Sequence, residues 1–109
     1  MCDAHPVARH GTALVANPEA RWRLDLVKAA HAESREPIAE GCSCPACTRH
    51  TRGYIHYLVR ARELTAVRLL TLHNLTFMAL LMQRLRAAVE AGEYEKAAKS
   101  LLEAGPYGA

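Results

Sequence analysis

Three cysteines stand in the run GCSCPACTRHTRGYIHY (residues 41–57) as Cys42, Cys44 and Cys47. This C-x-C-x-x-C spacing places three sulfurs on one tight loop, which Pro45 stiffens. Zn²⁺ takes four donors in a tetrahedron, from Cys thiolate and His nitrogen, so three sulfurs are an incomplete set. A disulfide between cysteines this close is strained and leaves an odd thiol. In a reducing compartment, clustered cysteines point to metal. The fourth donor comes from Cys2 or from one of six histidines. His73 fits best. It sits on an apolar stripe, one turn after Leu69 and one turn before Phe77, where an unpaired imidazole is a costly buried polar group. His50 is only three residues past Cys47, and His56 lies beside Tyr57 on an undefined face. Cys2 keeps an iron–sulfur site open. Three Cys and one His close the coordination sphere, so the expected site holds one structural zinc and is a brace, not a reactive centre. Its net charge of −1 is offset by Arg49 and Arg52, which are close in sequence.

The elements that must position these donors fall into two regimes. Residues 1–11 read as irregular. TALV (Thr12–Val15) and RWRLDLV (Arg21–Val27) are short strand candidates. In the second, Trp22, Leu24 and Leu26 alternate with Arg21, Arg23 and Asp25, the period of a half-buried strand. KAAHAESREPIAEG reads as a linker, in which Pro37 blocks helix at Glu36 and Gly41 permits a sharp turn. From Thr51, a plausible N-cap, the period becomes helical. A longer helix is expected over about 64–91, with the stripe Leu69, Leu70, His73, Phe77, Met78, Leu81, Leu85 and Val89, ended by Gly92. A third, short helix is expected over 93–102.

The chain has 109 residues and a formal net charge of +3, enough for one domain with a modest core. The charge is unevenly spread. Between Cys47 and Arg86 there are seven arginines and one acid, Glu63. Arg suits bidentate phosphate contact better than Lys, although a solvated helix face has the same pattern. The N-terminal MCDAHPVARHG has no apolar core of a signal peptide. No apolar run approaches the roughly 20 residues of a membrane span. A cytoplasmic chain without membrane partners is the expectation.

The run CSCPACTRHTRGYIHYLVRARELTAVRLLTLHNLTFMALLMQRLRAAVEAGEYEKAA resembles the C-terminal zinc subdomain of bacterial tRNA-guanine transglycosylases, the queuine tRNA-ribosyltransferases. The matching features are Cys42, Cys44 and Cys47; TRGYIHYL; His73–Asn74; and LRAAVEAG. The family's fourth zinc ligand is the His of the HN pair, which the resemblance places at His73. Upstream the match is weaker. MCD sets Asp3 at the position of the family's nucleophile, although the stretch after it is three residues short and lacks one Arg. Arg9 matches the second Arg of that stretch, which engages tRNA.

The resemblance implies exchange of a guanine in the tRNA anticodon loop through a covalent Asp–ribose intermediate. It also implies a (β/α)₈ barrel, which needs about 250 residues. The chain is too short for one. The expected architecture is mainly α with a small β portion: residues 1–36 as the end of a barrel and 37–109 as the helical zinc-binding subdomain. Alone, such a chain is expected not to be catalytic. It reads as a fragment, a truncated homologue or a subunit of a split enzyme; an unrelated zinc module binding nucleic acid or protein is the alternative. Partners implied are the tRNA anticodon region and either a second copy or a barrel-containing chain. An exposed sheet edge, left by the missing barrel strands, is expected to favour self-association. The resemblance places dimer contacts at His50, Tyr54 and Tyr57. Arg49, Arg52, Arg60 and Arg62 fit a phosphate-facing patch that suits RNA backbone contact, and Arg9 is a further RNA-binding candidate.

Overall fold

A helix, α1, forms over Ala4–Arg9, where irregular chain was expected. Its buried signal is only Ala4 and Ala8, two small residues one turn apart, too little to mark a period in the sequence. The structure, a computed structural model, describes residues 4–106; Cys2 and Asp3 lie outside the described residues.

Both strand candidates pair. β1 (Thr12–Leu14) lies antiparallel to β2 (Arg23–Asp25), with Ala13 opposite Leu24. β2 begins later than the alternation suggested because Arg21 and Trp22 adopt left-handed φ of 56° and 65°. The chain is still turning there. Pairing extends past both strand ends through Val15 N–H to Trp22 O and Leu26 N–H to Gly11 O. Leu26 enters the core, as the alternation required.

The segment between β2 and the cysteines contains one short 3-10 turn, Ala29–His31, and is fastened to the helix that follows. Gly53 N–H donates to Ser34 O at 3.0 Å, and Arg52 N–H to Glu36 O at 2.8 Å. A side chain at residue 53 has no room, since a Cβ would lie 2.8 Å from Ser34 O and 2.9 Å from Ala32 O.

Four helices complete the chain. α2 (Pro45–Arg49) carries Cys47 and starts on Pro45, whose fixed φ suits a first helical position. α3 (Arg52–Arg60) is capped by Thr51, which accepts the Tyr54 N–H. α4 (Leu64–Glu90) and α5 (Tyr94–Ala104) match the expected spans closely. At 27 residues, α4 is about 40 Å long, most of the molecule's 47 Å extent. It is the spine: α1, β1, α2, α3 and α5 all pack on it. Leu26, Ile38, Ile55 and Leu70 are fully buried around it, each contributing about 1.5–3 kcal/mol of apolar burial.

Three expectations need correction. Val89 does not continue the α4 stripe; it is 60% exposed, and Ala88 is buried instead. By length and composition α4 does qualify as a membrane-spanning candidate. Its middle, however, holds the fully buried polar residues His73 and Asn74, with Asn74 bonded to the backbone of α1 and both bonded to that of β1. That is the pattern of a core helix. Finally, one of the ribbon's two outer edges, that of β1, is not open. Asn74 Nδ2 donates to Thr12 O, Asn74 Oδ1 accepts Leu14 N–H, and His73 Nε2–H donates to Leu14 O. Two side chains of α4 take the place of a neighbouring strand.

Candidate metal centre and arginine cleft

The cysteine loop is shaped locally. Cys42 N–H donates to Ala39 O, and Cys44 caps α2 with its carbonyl, which accepts Cys47 N–H, Thr48 N–H and the Thr48 hydroxyl. This turns Cys42, Cys44 and Cys47 inward against the middle of α4. There His73 Nδ1 lies 3.6, 3.5 and 3.3 Å from the sulfurs of Cys42, Cys44 and Cys47. The four donor atoms all fall within 4.8 Å of one another. No disulfide joins the cysteines. The structure therefore brings together the four residues that the sequence singled out.

The arrangement fits a metal ion better than a hydrogen-bond network. Leu14 O accepts from Nε2 at 2.8 Å, which fixes a proton on Nε2 and leaves Nδ1 a single position, for a lone pair or a second proton. That one position serves one sulfur at a time, yet three sulfurs converge on it, two of them buried. A cation at the centre satisfies all four donors at once. Donors at about 2.3 and 2.0 Å from a tetrahedral zinc are separated by about 3.5 Å, the spacing observed. Three Cys and one His are positioned to bind one metal ion; a four-coordinate ion held by them would have no ligand position left for substrate or water.

The metal-free electrostatics tell the same story. Hydrogen bonds with Cys42 and Cys44 push the Cys47 thiol up, and burial adds to this, against an opposing Ala39 backbone hydrogen bond. Burial lowers the basicity of His73, but its hydrogen bonds with Cys42 and Cys44 and its donation to the Leu14 carbonyl outweigh it and push the imidazole up to about 9. Without metal the donors share protons; with metal those protons must leave.

The predicted arginines separate into three groups. Arg9, Arg60 and Arg62 line one cleft of about 630 Å³, with His10, Glu63 and an apolar floor that includes Val27, Val59 and Val67. Among the described residues these three arginines have no ion pair or side-chain hydrogen bond. Arg49 is exposed at the end of α2. Arg52 turns inward, donating from Nε to Pro37 O at 2.9 Å and from Nη2 to Ile38 O at 3.0 Å. Its guanidinium fastens the loop that leads into the cysteines.

His50 stacks on Tyr54, ring centroids 5.0 Å apart and planes at 25°. Tyr54 and Tyr57 are 45% and 63% exposed and three residues apart on α3, hence on one face. The sequence missed two structural roles. Asn74 bonds to Leu14 N, Ala4 O and Thr12 O; its place in the HN pair was the only signal. His56 bonds through Nδ1 to Leu26 O at 2.7 Å, fastening α3 to the end of the β ribbon, and nothing in the sequence indicated that.

Known proteins match this chain over nearly all of its length. The sequence profile of the family described as Queuine tRNA-ribosyltransferase matches residues 4–106. A queuine tRNA-ribosyltransferase of Roseiflexus sp. (strain RS-1) is 42% identical over 88 residues, 81% of this chain and 22% of the relative. The Symbiobacterium thermophilum protein of that name is 40% identical over 97 residues, 89% of this chain and 23% of the relative. That of Gluconacetobacter diazotrophicus is 46% identical over 72 residues, 66% and 19% respectively. The chain thus spans about a fifth to a quarter of the length of such relatives. With its Cys₃His site set against β1 and a match that runs from α1 through α5, the chain belongs to the queuine tRNA-ribosyltransferase family.

Proposed function

We propose that this chain is the metal-braced C-terminal portion of a tRNA-guanine transglycosylase, acting in queuosine-type modification of the tRNA anticodon. The metal is zinc, by the preference of a three-thiolate, one-imidazole set. The observation that carries the reading is the convergence of Cys42, Cys44, Cys47 and His73 in a chain of this family. Membership removes the alternative of an unrelated zinc module.

In this reading the chain docks RNA and does not perform the base exchange alone. Arg9, Arg60 and Arg62 in the cleft, and the exposed Arg49 at the end of α2, contact the phosphate backbone, an interaction that weakens with salt. Arg52 contributes by holding the loop from which α2 and α3 start. The His50–Tyr54 stack, with Tyr54 and Tyr57 exposed, forms a contact for a second copy or for a barrel-containing partner. Asp3 is the nucleophile position by resemblance and lies outside the described residues. Domains at 1–36 and 37–109 and a cytoplasmic location complete the proposal. A split enzyme, with the barrel on a partner chain, is the second reading.

The test is binding of the zinc-loaded chain to an anticodon stem-loop RNA, by fluorescence anisotropy across a salt series. Arg9→Glu with Arg60→Glu is expected to weaken binding by about 100-fold and lower the salt slope by about 1.5–2. Unchanged affinity rejects the RNA role of the cleft. Guanine exchange into tRNA by the purified chain alone is expected to be absent; measurable exchange rejects the non-catalytic reading.

A further inference from the structure

Helices α3 and α4 end in the same hydrogen-bonded turn. After α4, Gly92 N–H donates to Val89 O at 3.1 Å and Glu93 N–H to Ala88 O at 2.9 Å, with Gly92 at φ 72°. After α3, Arg62 N–H donates to Val59 O at 3.1 Å and Glu63 N–H to Leu58 O at 3.0 Å, with Arg62 at φ 58°. The left-handed position of this turn favours glycine, because a Cβ there crowds the following carbonyl. Arg62 carries that strain without a side-chain hydrogen bond among the described residues to offset it. The two turns are otherwise alike, so Gly92 is an internal reference for what residue 62 would be on stability grounds alone.

Strained residues persist where the surrounding structure over-determines them, and they cluster at functional sites; Arg21 and Trp22 share the left-handed φ in the turn before β2, but neither lines the cleft. Arg62 lines the cleft with Arg9 and Arg60, over a floor that includes Val27, Val59 and Val67 and with Glu63 the one acid in its lining. Three guanidiniums without an ion pair among the described residues, around one concavity, suit neighbouring phosphate groups, which planar N–H forks bind in bidentate fashion.

We propose that Arg9, Arg60 and Arg62 together form a binding site for consecutive phosphates, and that Arg62 stands at a glycine-suited position because its guanidinium completes this set. The proposal rests on the RNA-docking reading and narrows it to one cleft and one strained residue. Stability is traded for anion binding at Arg62.

Arg62→Gly and Arg62→Ala, with Lys99→Ala on α5 as control, are compared in the zinc-loaded 109-residue chain against two probes: an anticodon stem-loop RNA and inorganic tripolyphosphate. Arg62→Gly is expected to raise Tm by about 4–8 °C. It should weaken both probes by about tenfold and lower the RNA salt slope by about 0.7. Arg62→Ala should lose the same affinity without the gain in Tm, and Lys99→Ala should change neither. A gain in Tm with undiminished binding overturns the proposal. So does weaker binding with no gain in Tm, or a wild-type chain that binds neither probe. If wild type binds RNA and the Arg62 variants bind it equally, the proposal falls and the RNA reading stands. If only tripolyphosphate binds, in an Arg62-dependent way, the RNA reading falls and the phosphate site stands.

Discussion

His73 donates its Nε2–H to the carbonyl of Leu14 at 2.8 Å, across the junction of α4 and β1, while its Nδ1 faces the three sulfurs. One imidazole therefore joins the metal loop, the long helix and the β ribbon. A metal-ligating His whose second nitrogen is held by a carbonyl is fixed in tautomer and orientation. The strand thereby sets the orientation of the imidazole, and a metal bound at Nδ1 would hold the ring there as well.

Removal of that ring tests the metal assignment. His73→Ala is expected to abolish stoichiometric zinc, with affinity falling by more than the about 10–100-fold that outer-shell changes produce. Metal content by inductively coupled plasma mass spectrometry, with competition against a chromogenic chelator, reads the result. Full retention of one zinc per chain contradicts the Cys₃His site.

Asn74 tests the coupling of helix to ribbon without touching a ligand. Asn74→Leu leaves Leu14 N–H, Ala4 O and Thr12 O without their partner. Each unsatisfied buried group costs about 1–3 kcal/mol, so a loss of about 3 kcal/mol or more is expected in urea denaturation of the zinc-loaded chain. Asn74→Asp keeps the acceptor for Leu14 N–H but sets a carboxylate against two carbonyls, and should be no better. A loss under about 1 kcal/mol for both variants means that the side chain does not carry the junction.

Metal affinity should depend steeply on pH. Without metal, His73 holds its proton up to about 9 and Cys47 is pushed up as well, so both are protonated at neutral pH. Both protons must depart for the metal to bind. Folded-state pKa values raised in the apo chain favour apo at low pH, and metal binding gains as pH rises. Between about pH 6 and 8, the zinc association constant should rise at least about 100-fold per pH unit, the slope of a two-proton release. Chelator competition at several pH values measures it, and a slope below one contradicts the shared-proton description.

The metal ligands were legible because their signals are chemical and local. Three cysteines in six residues demand a fourth donor, and a histidine on an apolar stripe demands a partner. The long helix was legible from its period, and Thr51 and Gly92 marked real ends. What stayed hidden is tertiary. α1 buries only alanines, so it leaves no periodic trace. Arg52 carries the same charge as Arg49, and only the position of the Pro37 and Ile38 carbonyls separates an inward brace from an exposed cation. Arg9 and Arg60 lie far apart in sequence, and no local pattern indicates that α1 meets the α3–α4 turn in one cleft. Asn74 was visible as half of a motif, but its three backbone partners were not.

β1 has its outer edge closed by residues 59 to 62 positions later in the chain, not by a third strand. An unpaired strand edge is a template for intermolecular pairing and for amyloid-like growth. In this chain the gatekeeper against such growth is a docked helix, and that docking is shared with the metal. Metal binding and protection of this edge thereby share one residue: the imidazole that would hold the ion through Nδ1 is the one that covers Leu14 O through Nε2.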